Sequence, residues 1–148
     1  MEERNYETKK EPIEIAIVGV GGIGSNLSRV LIPALSQGRL AESLGGIKVT
    51  FLDSDTVEKE NLSHQSFLPE QQGMAKVMAL KDTLSPFEGE RISVEAIERD
   101  VREPGDLRGY DFVVVAVDSH EARIAVHGTS SKWLDLRCLG DGYTAVDS

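Results

Sequence analysis

The sequence predicts a doubly wound α/β sheet, mostly parallel, with a β-hairpin at its C-terminal end. Three observations carry this. The strand-type run Ile13-Glu14-Ile15-Ala16-Ile17-Val18 breaks at once into the glycine-rich turn Gly19-Val20-Gly21-Gly22-Ile23-Gly24-Ser25. Strand-type and helix-type patterns then alternate, the order that builds parallel sheets. Finally, two short strand-type runs flank Gly140-Asp141-Gly142, which is a hairpin signal.

The glycine turn and what surrounds it read as a Rossmann-like nucleotide-binding opening. Leu27, Val30, Leu31, Ala34 and Leu35 recur at helical spacing directly after it. Gly19 permits the tight turn out of the strand. Gly21 lets backbone approach a phosphate without a Cβ in the way, and Gly24 lets the helix pack close to the strand. The first N–H groups of that helix, with the helix dipole behind them, then face phosphate. The motif does not name the nucleotide.

Pro33 falls inside the helical pattern and is expected to kink or shorten it. Ser36-Gln37-Gly38 breaks the pattern, Arg39 to Leu44 adds a turn or two, and Gly45-Gly46 closes the segment. Ile47-Lys48-Val49-Thr50-Phe51-Leu52 is the second strand, ending in Asp53-Ser54-Asp55. An acid at this tip binds ribose hydroxyls in nucleotide folds, which makes Asp53 the candidate. It lies 29 positions beyond Gly24, against about 20 in the usual pattern. The stretch from Gln37 to Gly46 reads as the insertion responsible, and the alternative for Asp53 is a helix or turn cap.

Residues 54–68 show no clean period and lie where open α/β sheets bind ligands. Met74 to Leu84 reads as a second helix ended by Ser85-Pro86. Taken alone, Lys76 on it reads as solvated surface. Arg91 to Ile97 is a third strand, and Glu103-Pro104-Gly105-Asp106-Leu107 a turn or short helical piece. Phe112 to Val117 is a continuous apolar run, a strand buried on both faces, ending at Asp118. Ser119 caps a short helix to His127, Lys132 to Arg137 is a fifth strand, and Tyr143 to Val146 a sixth.

Composition narrows the partners. The 148 residues suit one domain, and 40% hydrophobic residues suffice for a packed core. A net charge of −9 argues against a nucleic-acid partner. The charged N-terminus does not resemble a signal peptide and no apolar run is long enough to span a bilayer, so no membrane association is expected. The single cysteine, Cys138, excludes an internal disulfide and a Cys-rich zinc site, and a reduced, cytoplasmic setting is expected. Residues 1–11 read as a flexible polar arm and residues 12–148 as one nucleotide-binding domain. Asp53, Asp55 and Asp118 at strand tips can hold Mg²⁺ near phosphate, and Lys76 can stabilise charge that develops there. This suits a nucleoside triphosphate better than NAD.

The chain is identified by resemblance as a minimal or truncated member of the ubiquitin-activating-enzyme-like adenylating enzymes of the ThiF/MoeB type. The residues that carry it are Gly19 to Ser25, Asp53-Ser54-Asp55-Thr56-Val57-Glu58, Asn61-Leu62-Ser63-His64-Gln65, Gly73-Met74-Ala75-Lys76, and Asp118 with Arg123 behind it. The resemblance implies Mg–ATP and ATP-dependent adenylation of the C-terminal glycine carboxylate of a small ubiquitin-like or sulfur-carrier protein ending in Gly-Gly. It implies that Gly21 and Gly22 line the phosphates, Asp53 holds ribose, Asn61 and Lys76 touch phosphate, and Asp118 binds Mg²⁺. Asp55, His64 and Gln65 are placed in the same nucleotide site, and a homodimer is implied. Where the family usually has arginine, this chain has His64, and an imidazole lacks a fixed fork of donors. The family's N-terminal arginine has no match beyond Arg4, and its Cys-x-x-Cys zinc motifs are absent. The alternative is a non-catalytic nucleotide-binding module that docks a partner. Cys138 is expected as a buried structural thiol, with a thioester or persulfide nucleophile as its alternative.

Overall fold

A computed structural model describes residues 10–139 and 142–148. The strands are β1 (Ile13–Val18), β2 (Ile47–Leu52), β3 (Ile92–Ile97), β4 (Phe112–Val115), β5 (Lys132–Leu139) and β6 (Gly142–Asp147). The helices are α1 (Gly22–Gln37), α2 (Leu40–Ser43), α3 (Lys76–Leu84) and α4 (His120–His127). Short 3-10 turns cover Lys59–Ser63, Pro69–Gln71, Ser85–Phe87 and Pro104–Leu107.

One six-stranded sheet runs in the order β3-β2-β1-β4-β5-β6. All pairs are parallel except β5 with β6. The doubly wound reading therefore holds, hairpin included. Gly140 and Asp141 of the expected turn, and residues 1–9 of the expected arm, lie outside the described residues.

Alternate side chains of the central strands enter two cores. Ile17, Val49, Phe51 and Val114 pack on one face with Ile32 and Leu35 of α1 and Val77, Leu80 and Leu84 of α3. Ala16, Val18, Leu52, Val113 and Val115 pack on the other with Ala122, Ala125 and Val126 of α4. Both faces of β1, β2 and β4 are thus covered, which is why these strands read as near-continuous apolar runs. Each large side chain so buried contributes about 1.5–3 kcal/mol.

Three expectations need correction. Pro33 does not shorten α1, which continues to Gln37 before Gly38 donates back to Ala34 O. The ring deletes only the hydrogen bond to Arg29, four residues earlier on the exposed side, so the lost donor sits beside water. β4 stops at Val115 rather than Val117, because its neighbour β1 ends at Val18, the partner of Val115. Cys138 is exposed rather than buried. β5 outruns β4, whose last pairing is Val115 with Asp135, so Cys138 has a strand neighbour only in β6, where it stands opposite exposed Tyr143.

This order puts a topological switch point between β1 and β4. The chain leaves the carboxyl ends of these two strands in opposite directions, and a crevice opens there. Val18 is level with both Leu52 and Val115, so Gly19, Asp53 and Ala116 emerge side by side.

Candidate nucleotide site

A cleft of about 670 Å³ lies over those strand ends. Of the residues singled out in the sequence, Gly19, Gly21, Gly22, Asp53, Asp55, His64, Gln65, Lys76 and Asp118 line it. Asn61 and Gly24 do not. Asn61 lines an adjoining recess of about 360 Å³ together with Lys76 and Asp55, which face both spaces.

Two glycines are required by packing. Gly19 has φ 88, and a Cβ there would meet Ala116 O at 2.8 Å and overlap the Val117 side chain. A Cβ on Gly24 would overlap Gly19 O, which explains the close strand–helix approach. Gly21 and Gly22 differ. Their nearest neighbours to an added Cβ are Gln65 Nε2 at 3.8 Å and His64 Cδ2 at 4.0 Å. The space their missing side chains leave is the cleft itself, at the N-terminal end of α1.

Asp53 holds the turn from β2. Its Oδ2 accepts from Val20 N at 2.9 Å and its Oδ1 from Asp55 N at 2.8 Å. It is therefore a turn cap and a cleft residue at once. Beyond it, Thr56 pairs with Ala75, Val57 N donates to Met74 O, and Lys76 N donates to Asp55 O. This short ribbon, which has no sequence period of its own, delivers Lys76 to the cleft. Lys76 is only 6% exposed, correcting the solvated-surface reading. Its Nζ lies 3.3 Å from Asp55 Oδ2.

The segment carrying His64 and Gln65 is clasped to α1. Ser66 N donates to buried Ser25 Oγ at 3.0 Å, and Ser66 Oγ donates to Asn26 Oδ1 at 2.6 Å. Asn26 Nδ2 donates to Gly22 O and to His64 O. Sequence reasoning missed this clasp; the only signal was a run of small polar residues at the helix start. His64 Nδ1 lies 3.1 Å from Ser63 Oγ, and Asn61 Oδ1 accepts from Glu58 N at 2.8 Å. Gln65 Oε1 is buried with no partner among the described residues, an acceptor that a ligand donor can satisfy.

On the β4 side, Asp118 is exposed on the cleft wall, and Ser119 Oγ caps α4 by accepting from Ala122 N. Arg123 donates to Val117 O and to Asp135 Oδ1. Asp135, fully buried in β5, also accepts from Arg137 Nη2 at 2.7 Å and lies 2.9 Å from His127 Nε2. Burial pushes its carboxyl up, but bonds from Arg137 and His127 and the charges of Arg123 and Arg137 outweigh this and hold it below the usual carboxylate range. Asp135 is a second residue the sequence reading passed over; its signal was one acid inside an apolar strand.

The electrostatics are close to balanced. Lys76 faces Asp55, and Arg123 faces Asp135. Arg102 Nη2 lies 3.6 Å from Asp100, and Arg99 Nη2 lies 3.9 Å from Asp106. Each cationic side chain on the cleft wall therefore has an acidic neighbour. Asp118 and Glu121 add negative charge at the mouth. Such a cleft attracts phosphate through backbone N–H groups rather than through surplus cations. Among the described residues no group of three or more His, Cys, Asp or Glu is placed to hold a metal ion. A lone Asp118 fits Mg²⁺ only in the manner usual for that ion, one or two carboxylates completed by phosphate and water.

The chain matches the ThiF family over residues 4–133. It belongs to that family. Ubiquitin-like modifier-activating enzyme 5 of Dictyostelium discoideum is 32% identical over a match covering 83% of this chain and 33% of that protein. The corresponding enzyme of Branchiostoma floridae is 31% identical, covering 83% of this chain and 31% of that protein. This ThiF-family chain thus spans about a third of the length of the curated relatives it matches. Among solved structures, Escherichia coli MccB with MccA-N7isoASN is 25% identical with TM-score 0.68, covering 90% of this chain and 39% of MccB. E. coli tRNA N6-threonylcarbamoyladenosine dehydratase, TcdA, in complex with ATP is 25% identical with TM-score 0.59, covering 77% and 44%. No helix among the described residues of this family member is long and apolar enough to cross a membrane.

Proposed function

We propose that this chain binds Mg–ATP and adenylates the C-terminal glycine carboxylate of a small ubiquitin-like or sulfur-carrier protein. The observation that carries the reading is the convergence of a glycine turn without side chains at Gly21 and Gly22, buried Lys76 and exposed Asp118 on one cleft. Membership of the ThiF family and likeness to an ATP complex support it.

In this reading the N–H groups at the start of α1 and at Gly21 and Gly22 hold phosphate oxygens. Asp53 has its carboxylate at the ribose end of the cleft. Lys76 contacts the phosphates and stabilises charge as the carrier's carboxylate attacks the α-phosphorus and pyrophosphate leaves. Asn61, in the adjoining recess, reaches the same oxygens. Mg²⁺ held by Asp118 supplies neutralisation of phosphate charge, without which Asp118 repels the triphosphate. The partners proposed are the Gly-Gly-ended carrier and a second copy of the chain, and the setting proposed is the cytoplasm.

The second reading is a non-catalytic nucleotide-binding module. His64 favours it, since its ring lies against Ser63 and Gln65 rather than presenting an arginine's planar fork to phosphate. Pyrophosphate–ATP exchange with a Gly-Gly-ended protein, run beside calorimetry with ATP and NAD, separates the two. Magnesium-dependent ATP binding with exchange supports adenylation. ATP binding without exchange for any carrier moves the assignment to the module, and tight NAD binding with no magnesium-dependent ATP binding ends the adenylation reading.

A further inference from the structure

Beyond Val115 the sheet no longer serves the chain that carries Asp118. Ala116 N still donates to Val18 O, but β4 has ended and the chain turns away from β5. The next carbonyl, Val117 O, is taken by Arg123, which reaches back from the first turns of α4. The same guanidinium bonds Asp135, which is fully buried and directly opposite Val115 in register. One planar group therefore spans β5, α4 and the turn after β4. Arginine suits this task because its donors are fixed in a fork, whereas lysine offers a single point charge. The turn it holds touches the phosphate cradle, since the missing Cβ of Gly19 faces Ala116 O and the Val117 side chain. Asp118 follows at once.

We infer that Arg123 is a positioning residue for the nucleotide site: braced by Asp135, it clamps the Val117 carbonyl and so sets Asp118 and the glycine turn at a fixed mutual distance. The inference rests on the nucleotide-binding reading above, but the clamp itself can be read without nucleotide. Arg123 is the partner to change, because Asp135 then keeps Arg137 and His127 as neighbours.

The test compares the full chain with Arg123→Lys and Arg123→Met. Backbone amide exchange is followed at Ala116, Val20 and Ala122, each hydrogen-bonded in the structure, with amides of β2 and β3 as internal controls. Calorimetry with Mg–ATP gives affinity on the same samples. The expected result is at least tenfold faster exchange at the three amides, unchanged controls, and at least tenfold weaker Mg–ATP binding, with lysine rescuing little of either. Unchanged exchange at those amides in folded variants overturns the clamp. Loss of protection across the controls, or failure of both variants to fold, overturns it as well by making Arg123 merely structural. If the unaltered chain binds no Mg–ATP, the nucleotide reading fails, and amide exchange still decides the clamp.

Discussion

Lys76 and Asp55 form an ion pair of unequal partners. The lysine side chain is 7% exposed and the aspartate 68%. Removing the two ends therefore has different consequences. Asp55 without Lys76 is still hydrated, whereas Lys76 without Asp55 is a buried ammonium lacking its carboxylate. Lys76→Ala is expected to keep the fold and to lower pyrophosphate exchange by on the order of a hundredfold or more. Asp55→Ala is expected to cost about 1–3 kcal/mol of stability. Urea unfolding of both variants beside exchange assays checks this; a larger stability loss in Lys76→Ala than in Asp55→Ala contradicts it.

Asp118 is exposed, so Asp118→Ala should melt with the unaltered chain. Its effect is expected on magnesium dependence. Chelating the metal should abolish ATP binding by the unaltered chain, because a near-balanced cleft with an acid at its mouth repels a bare triphosphate. In Asp118→Ala, added Mg²⁺ should improve ATP affinity far less. Calorimetry across a magnesium series is the measurement, and equal magnesium dependence in the two proteins means the metal is held elsewhere.

Acid sensitivity follows from Asp135. Its carboxyl is held below its ordinary value of 3.8. A carboxylate whose folded pKa is depressed contributes stability that is full above the unfolded value and is lost as pH falls through the folded one. The unaltered chain should thus lose this contribution only below about pH 4. Asp135→Asn lacks it at every pH, and leaves Arg123 beside a neutral amide, at a cost of about 3 kcal/mol near neutrality. Urea unfolding from pH 3 to 7 should show the gap between the two proteins narrowing toward the acid end. A constant gap assigns the cost to packing alone.

His64 lies beside Gly22 on the cleft wall, where the resemblance places arginine. His64→Arg is expected to tighten ATP binding about tenfold, the worth of one hydrogen bond to a charged group. Exchange activity should rise with it if the adenylation reading is right. Tighter binding without exchange favours the docking module.

Local periodicity was enough to place all six strands, the four helices and the glycine turn in the sequence, because side-chain alternation and turn chemistry act within a few residues. The same locality made Asp53 legible as a strand-tip acid and Gly19 as a tight turn, whereas Asp118 follows β4 only after a turn, since that strand ends at Val115. It failed where the outcome depends on which elements meet. Lys76 looked like surface on its own helix, and became buried because the ribbon from Thr56 to Ala75 folds it over Asp55. Cys138 looked buried within a strand, and became exposed because β5 extends past the end of β4. Asp135 gave no hint of its partners, which come from α4 and from Arg137 on its own strand. A side chain's own neighbourhood in sequence sets its conformation. Its burial and its charge partner are set by the lengths and order of strands brought together from far along the chain, and these only the tertiary structure decides.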